Sequence, residues 1–433
     1  MQEKPKASSI NNLSLSERDK KVIWHPLVQH KTHQAMQPIV KAEGALLYDE
    51  EGKTYIDAIS SWYTAMYGHC NKKLVEAIQK QAAKLDQIIF SGFTHEPAVE
   101  LAEKLISILP SKISKVFYND NGSTATEIGI KMALQFHHNL GHHKDTIIAF
   151  EEGFHGDTFG AMSVSGLSIY NGAFEEHFLK VVRLKKPDGK NNGEVLKQLN
   201  DILSQHEIAG FIYEPLIQGA AGMKTYDKVG LNDILKVCKQ HKIICIADEV
   251  MTGFGKTGTC FASEQIGIQP DIICLSKALT AGMVPMGVTA CQEFIYNAFY
   301  DDDVSKGLFH AHTYSGNPLA CAVAIEAINL YQSSAIQQRK QTISEAHQKF
   351  KTKIENHPKI KSVRHLGVIL AMDLDLKIER YSNTRDQLFQ FFMDKGIYLR
   401  PLGETIYIVP PFIISRKELG KIYKTMEEVL NFI

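Results

Sequence analysis

Ile243-Ile244-Cys245-Ile246-Ala247-Asp248-Glu249-Val250 and Ile272-Ile273-Cys274-Leu275-Ser276-Lys277-Ala278 decide the fold. Each is a short run, apolar throughout, that ends abruptly in charged or hydroxyl residues. A strand without polar alternation is buried on both faces, as in a parallel sheet covered by helices. Working outward, Lys115–Tyr118, Thr146–Phe150, Gly210–Tyr213 and Val288–Ala290 read the same way. Helix-period stretches lie among these runs: Leu74–Leu85, Pro97–Leu109, Ala125–Phe136 and Asn232–His241. Strands alternating with helices predict an α/β domain with a mostly parallel sheet over residues 74–325.

The texture changes on both sides of that block. Residues 42–57 read as a hairpin, with Glu50-Glu51-Gly52-Lys53 between two short strand patterns. After Tyr331 come a long polar-faced helix over Gln338–His357, strands around Val368–Leu374, Ile397–Arg400 and Ile406–Val409, and helices over Asp386–Lys395 and Arg416–Phe432. The expectation is a smaller α+β domain over residues 326–433, joined by the N-terminal segment 1–73. The first dozen residues are polar and expected to be mobile.

The chain has 433 residues, enough for two or three domains at roughly 100–200 residues each. Lys and Arg number 48, as do Asp and Glu, so no global field favours nucleic acid or an anionic membrane. Seven cysteines at irregular spacing, several inside apolar runs, predict reduced thiols and a cytoplasmic location. The N-terminus has no apolar secretory core, and no run approaches the length of a membrane span. Partners are therefore sought among small molecules and other protein subunits.

In open α/β sheets, ligands bind beyond the carboxyl ends of the strands. Three predicted strand ends carry distinctive groups. Lys115–Tyr118 leads into Asn119-Asp120-Asn121-Gly122-Ser123-Thr124, which opens a helix and offers N–H groups to a phosphate, or simply caps the helix. Asp248 is a carboxylate that needs a cationic partner: a pyridinium nitrogen, an ordinary ion pair or a helix cap. Lys277, flanked by small residues, is an imine-forming amine if desolvated, or a snorkelling surface lysine. Any one of these is weak alone. Together they are the set that pyridoxal 5'-phosphate requires: a phosphate anchor, a partner for the ring nitrogen and an amine.

Asn121–Glu127 (N-G-S-T-A-T-E), Gly153–Ser163 (G-F-H-G-D-T-F-G-A-M-S), Tyr213–Gly219 (Y-E-P-L-I-Q-G), Ala247–Gly258 (A-D-E-V-M-T-G-F-G-K-T-G), Ser276–Gly282 (S-K-A-L-T-A-G) and His312–Ala320 (H-T-Y-S-G-N-P-L-A) resemble, as an ordered set, the class III or ω-aminotransferases of fold type I. That resemblance implies a pyridoxal-phosphate transaminase. Lys277 is then the Schiff-base lysine and proton shuttle, and Asp248 the partner of the pyridinium nitrogen. Gly122 and Ser123 hold the phosphate, with Thr313 and neighbouring His312 reaching in from the partner subunit of a homodimer. Phe154 and Val250 cover the two ring faces. Leu27, Trp62 and Ala311 line the substrate pocket, and Arg400 clamps a substrate carboxylate.

Trp24-His25-Pro26, Ser60–Tyr63, Phe90–Ala98, Leu399–Gly403 and Val409-Pro410-Pro411 resemble the biotin-synthesis branch of that family. This implies a small-molecule amino donor and keto acceptor, with transamination of 8-amino-7-oxononanoate to 7,8-diaminononanoate. S-adenosylmethionine is the expected donor and lysine the alternative. Leu27 and Phe154 stand where that pattern has tyrosines, so two hydroxyls are missing from the expected donor pocket. Stacking needs only the aromatic face and survives in Phe154. Competing readings are a class III transaminase for ornithine, γ-aminobutyrate or a diamine, an aminomutase, and a nonenzymatic scaffold. The histidines at 137, 138, 142 and 143 read as a helix C-terminus rather than a metal site, and Asp301–Asp303 as a solvated loop.

Overall fold

A computed structural model describes residues 13–32, 35–167 and 171–432. Residues 1–12, for which mobility is expected, lie outside them. The strands in chain order are β1 (Ile39–Glu43), β2 (Leu46–Asp49), β3 (Thr54–Asp57), β4 (Ile113–Asn119), β5 (Thr146–Phe150), β6 (Val181–Leu184), β7 (Ile208–Tyr213), β8 (Ile217–Gln218), β9 (Lys224–Thr225), β10 (Ile244–Asp248), β11 (Ile272–Leu275), β12 (Gly287–Gln292), β13 (Ile360–Leu366), β14 (Ile369–Leu374), β15 (Ile397–Tyr398) and β16 (Thr405–Ile408).

Seven of them form one sheet in the order β4-β12-β11-β10-β7-β5-β6. Neighbours from β11 through β10, β7 and β5 to β6 are parallel, whereas β12 runs antiparallel to both β11 and β4. The apolar run of β12 reads like its parallel neighbours because burial on both faces, not direction, sets the pattern. Every residue of β5, β7, β10 and β11 is buried. Ile244 and Ile246 point into one core and Cys245 and Ala247 into the other, so the period-two pleat feeds two cores.

The helix Gly122–Asn139 covers one face. It sits close because Gly129 lacks a side chain: a Cβ there would lie 3.1 Å from Cys274 Sγ and 3.2 Å from Ile246 Cγ2. Lys228–Gln240 packs on β10, and Asn192–Gln205 on β6.

The expected hairpin forms as β2 and β3, antiparallel, with Leu46 opposite Ile56. β3 then pairs in parallel with β15, Asp57 opposite Tyr398, which ties the N-terminal segment to the C-terminal one. β13, β14 and β16 make a separate antiparallel sheet. The expected boundary at 325/326 falls inside the helix Pro318–Gln332, and the chain bends by 65° only where Ser334–Ile354 begins. No single helix among the described residues is long and apolar enough to cross a membrane.

Candidate active site

A cavity of about 630 Å³ opens beyond the carboxyl ends of β4, β7, β10 and β11. It is lined by Gly122, Ser123, Phe154, Asp248, Val250 and Lys277, and by Leu27, Trp62 and Arg400. These nine expected residues thus meet in one place. Ala311, His312 and Thr313 do not line the cavity of the single chain. Gln87 Nε2 donates to the Thr313 carbonyl at 2.8 Å, and His312 Nδ1 lies 3.6 Å from Asp120 Oδ2.

Asp248 is the last residue of β10 and is buried. Its Oδ1 accepts the Val250 N–H at 3.1 Å, and its Oδ2 lies 2.7 Å from His155 Nδ1. The His155 ring is buried, and its Nε2 has no hydrogen-bond partner among the described residues. Lys277 follows β11 with φ of 52°, a left-handed conformation that turns the chain sharply at the strand end. Burial pushes the Lys277 amine below the ordinary lysine range, while the charges of Asp248 and Glu214 partly oppose this. Its Nζ lies 5.4 Å from the centre of the Tyr63 ring.

The helix Gly122–Asn139 begins with a reciprocal cap. Asn121 Oδ1 accepts the Thr124 N–H at 3.0 Å, and Thr124 Oγ1 accepts the Asn121 N–H at 3.1 Å. Gly122 and Ser123 line the cavity and open the helix, where N–H groups have no helical acceptor. A Cβ on Gly122 would sit 2.7 Å from Val250 Cγ1 and 3.5 Å from Ser276 Cβ, so the cradle closes only around glycine.

These features fit the cofactor expected from the sequence. A glycine-lined helix N-terminus, a buried carboxylate and a desolvated amine border one cavity. Phe154 and Val250 lie on its walls.

Two buried groups in the same region carried no assigned role. Glu214, just after β7, accepts the Phe154 N–H at 3.1 Å and the Gly219 N–H at 2.9 Å. Its carboxyl is pushed up to about 7, first by burial and further by Asp248, against His155 and the two backbone donors. An acid at a strand end is the same signal that marked Asp248. Lys256 is fully buried and donates to the Gly253 carbonyl at 2.6 Å. Burial, and then the charge of Lys277, push it down to about 7. Tyr407, Arg380 and Arg385 also line the cavity, and no strand-end or motif signal marked them.

The Trp62 side of the cavity holds the least expected backbone. Ser60, Ser61, Trp62 and Tyr63 have φ of 49°, 45°, 69° and 71°, four successive left-handed residues that all carry a Cβ. Each such residue costs roughly 1–2 kcal/mol relative to right-handed backbone. The turn brings Trp62 under Arg400, whose guanidinium carbon lies 5.2 Å from the ring centre. The Tyr63 hydroxyl donates to the Tyr407 hydroxyl at 2.9 Å. Away from the cavity, His137 is a buried ring 3.1 Å from the Ala209 carbonyl, pushed down to about 4 by burial.

The family model for class III aminotransferases matches residues 27–430. An adenosylmethionine-8-amino-7-oxononanoate aminotransferase of Synechococcus elongatus is 39% identical over 95% of this chain and 99% of its own. One of Geobacter sulfurreducens is 36% identical over 97% and 98%. Among solved structures, the aminotransferase of the same name from Methanocaldococcus jannaschii superposes with a TM-score of 0.88 at 33% identity, covering 96% of this chain and 98% of that one. An omega transaminase from Pseudomonas jessenii in complex with PMP gives 0.91 at 28% identity, covering 97% and 98%. Sequence and structure agree over nearly the whole length, and the chain belongs to the class III aminotransferase family.

Proposed function

We propose that this protein transfers an amino group to 8-amino-7-oxononanoate, giving 7,8-diaminononanoate for biotin synthesis, with pyridoxal 5'-phosphate as cofactor and S-adenosylmethionine as amino donor. The observation that carries this reading is the meeting of Lys277, Asp248 and the Gly122 cradle in one cavity with Trp62 and Arg400. When bound, the cofactor supplies an aldehyde carbon for the amino group and an electron-accepting ring.

The remaining work falls to the chain. The Gly122 and Ser123 N–H groups bind the phosphate at the positive end of their helix. Thr313 of a second copy, with His312 beside it, completes that grip in a homodimer. Asp248 holds a proton on the ring nitrogen, and His155 orients the carboxylate. Phe154 and Val250, both on the cavity wall, would cover the faces of the cofactor ring. Lys277, its amine favoured by burial, anchors the cofactor and then carries the proton taken from the substrate carbon. Arg400 binds the substrate carboxylate, while Trp62 and Leu27 shape the apolar path to it and Ala311, outside the cavity of the single chain, reaches the path only from a second copy. Amino transfer in two half-reactions predicts ping-pong kinetics.

The test is a pair of single-turnover half-reactions. S-adenosylmethionine should convert the cofactor-loaded protein to the pyridoxamine spectrum, and 8-amino-7-oxononanoate should restore the starting spectrum. Conversion by lysine alone would overturn the donor. No response to the oxononanoate would overturn the substrate.

The division into residues 1–73, 74–325 and 326–433 belongs to this reading as well. The seven-stranded sheet lies between Ile113 and Gln292, and the β3–β15 pairing joins the two flanking segments.

A further inference from the structure

The left-handed turn at residues 60–63 does not hold itself. Backbone of this kind persists only where its surroundings over-determine it. Asp57, the last residue of β3, is fully buried and does not line the cavity. Its Oδ1 accepts the Ile59 N–H at 3.2 Å. Its Oδ2 accepts the Ser61 hydroxyl at 2.9 Å and lies 2.8 Å from His69 Nε2. His69 is itself pinned, exchanging backbone hydrogen bonds with Gly44 at 2.8 and 3.1 Å. On the other side, Ser60 Oγ donates to the Val409 carbonyl at 2.7 Å.

One carboxylate thus binds the chain just before the turn, inside the turn and beyond it. The same strand sets the partner of Trp62. Asp57 pairs with Tyr398, and Ala58 donates to the Tyr398 carbonyl at 2.9 Å, two residues before Arg400. The indole and the guanidinium therefore both follow the ends of two paired strands, β3 and β15.

We propose that Asp57 is a positioning residue for the substrate: through Ser61 and His69 it holds the left-handed turn that sets Trp62 against Arg400, so the guanidinium is in place before a carboxylate arrives. A cation over an indole face is favoured electrostatically, and a clamp fixed in advance loses less freedom on binding. Asp57 lies outside the cavity lining, so its loss should act on binding rather than on proton transfer.

The chain has two tryptophans, Trp24 and Trp62, and Trp24 is 90% exposed. In a Trp24→Phe background the emission of the cofactor-loaded enzyme reports on Trp62 alone. There, Asp57→Asn is expected to shift that emission to the red and to raise KM for the carboxylate substrates about tenfold. Its kcat should stay within about twofold and the cofactor absorbance should be unchanged. Ser61→Ala, which removes one bond, should move both readouts in the same direction by a smaller factor, about threefold in KM.

An Asp57→Asn enzyme with unaltered KM and emission would overturn the proposal, as would a fall in kcat at constant KM. If Asp57→Asn does not fold, Ser61→Ala decides by the same two readouts. The inference rests on placing Trp62 in the substrate pocket, and Trp62→Ala separates the two failures. An unchanged KM in Trp62→Ala removes that placement. A raised KM there, with none in Asp57→Asn, removes only the role of Asp57.

Discussion

The floor of the cavity and its substrate wall are built in different ways. The floor consists of strand ends: Asp248 closes β10, Lys277 follows β11, and Glu214 follows β7. Each group is placed by the strand that carries it, and the strands are neighbours in one sheet. The wall has no such frame. It joins Ser60 to Val409 and Tyr63 to Tyr407, pairs separated by 349 and 344 positions in the chain. It also depends on backbone that most residues avoid. A site can thus put its chemistry on a rigid sheet and its selectivity where distant segments meet. Changes to the floor should damage turnover, and changes to the wall should damage binding.

The largest expected effect is on the floor. Lys277→Ala should lower kcat by about 10⁴-fold or more, since it removes the anchor together with a proton-transfer group worth up to about 10⁴ alone. Steady-state assay and loss of the visible cofactor band check this, and near-normal turnover would end the assignment. Asp248→Asn should lower kcat by roughly 10²–10³-fold, the scale for losing one preorganised charge. A spectrum of fully bound cofactor beside that loss would show that the charge acts in the reaction rather than in retention.

Glu214 offers a test on stability. Its carboxyl is held at about 7 against an ordinary 4.5, so it keeps its proton more tightly folded than unfolded. Its stabilising contribution is complete below about 4.5 and is lost as pH rises through about 7. At 1.36 kcal/mol per pKa unit this is on the order of 3 kcal/mol in the cofactor-free protein. Chemical denaturation of that form at pH 5 and pH 8 should show stability falling. Glu214→Gln should flatten the slope, while leaving one of the two backbone donors without its oxygen. A slope identical in both proteins would exclude Glu214 as its source.

The smallest effect falls on the wall. Arg400→Lys should raise KM for the carboxylate substrates about ten- to hundredfold with little change in kcat, because a point charge replaces a two-pronged donor. If kcat fell instead and KM held, the contrast between floor and wall would be wrong.

Much of the floor was legible because its signals are local. A run such as Ile243–Ala247 announces a doubly buried strand, and the next residue marks the end where ligands bind. Glu214 carries the same strand-end signal, but its motif, Y-E-P-L-I-Q-G, marks the family rather than a role for the acid. His155 was harder, because its role depends on which carboxylate lies 2.7 Å from its ring. Arg380 and Arg385 lie in a stretch without clear periodicity, and only folding turns them toward the cavity. The bend after Gln332 leaves no local signal, because the apolar helix Pro318–Gln332 runs smoothly up to it.

The amino-acid sequence alone determined the parallel-sheet core, the strand-end groups and the family pattern, because burial and periodicity are properties of neighbours along the chain. Only the tertiary structure decided the antiparallel course of β12, the left-handed turn under Arg400 and the parallel register in which β3 meets β15. Strand direction leaves no mark in a run that is apolar throughout. Left-handed backbone at serine and tryptophan is opposed by local sterics, so contacts from far along the chain must hold it in place.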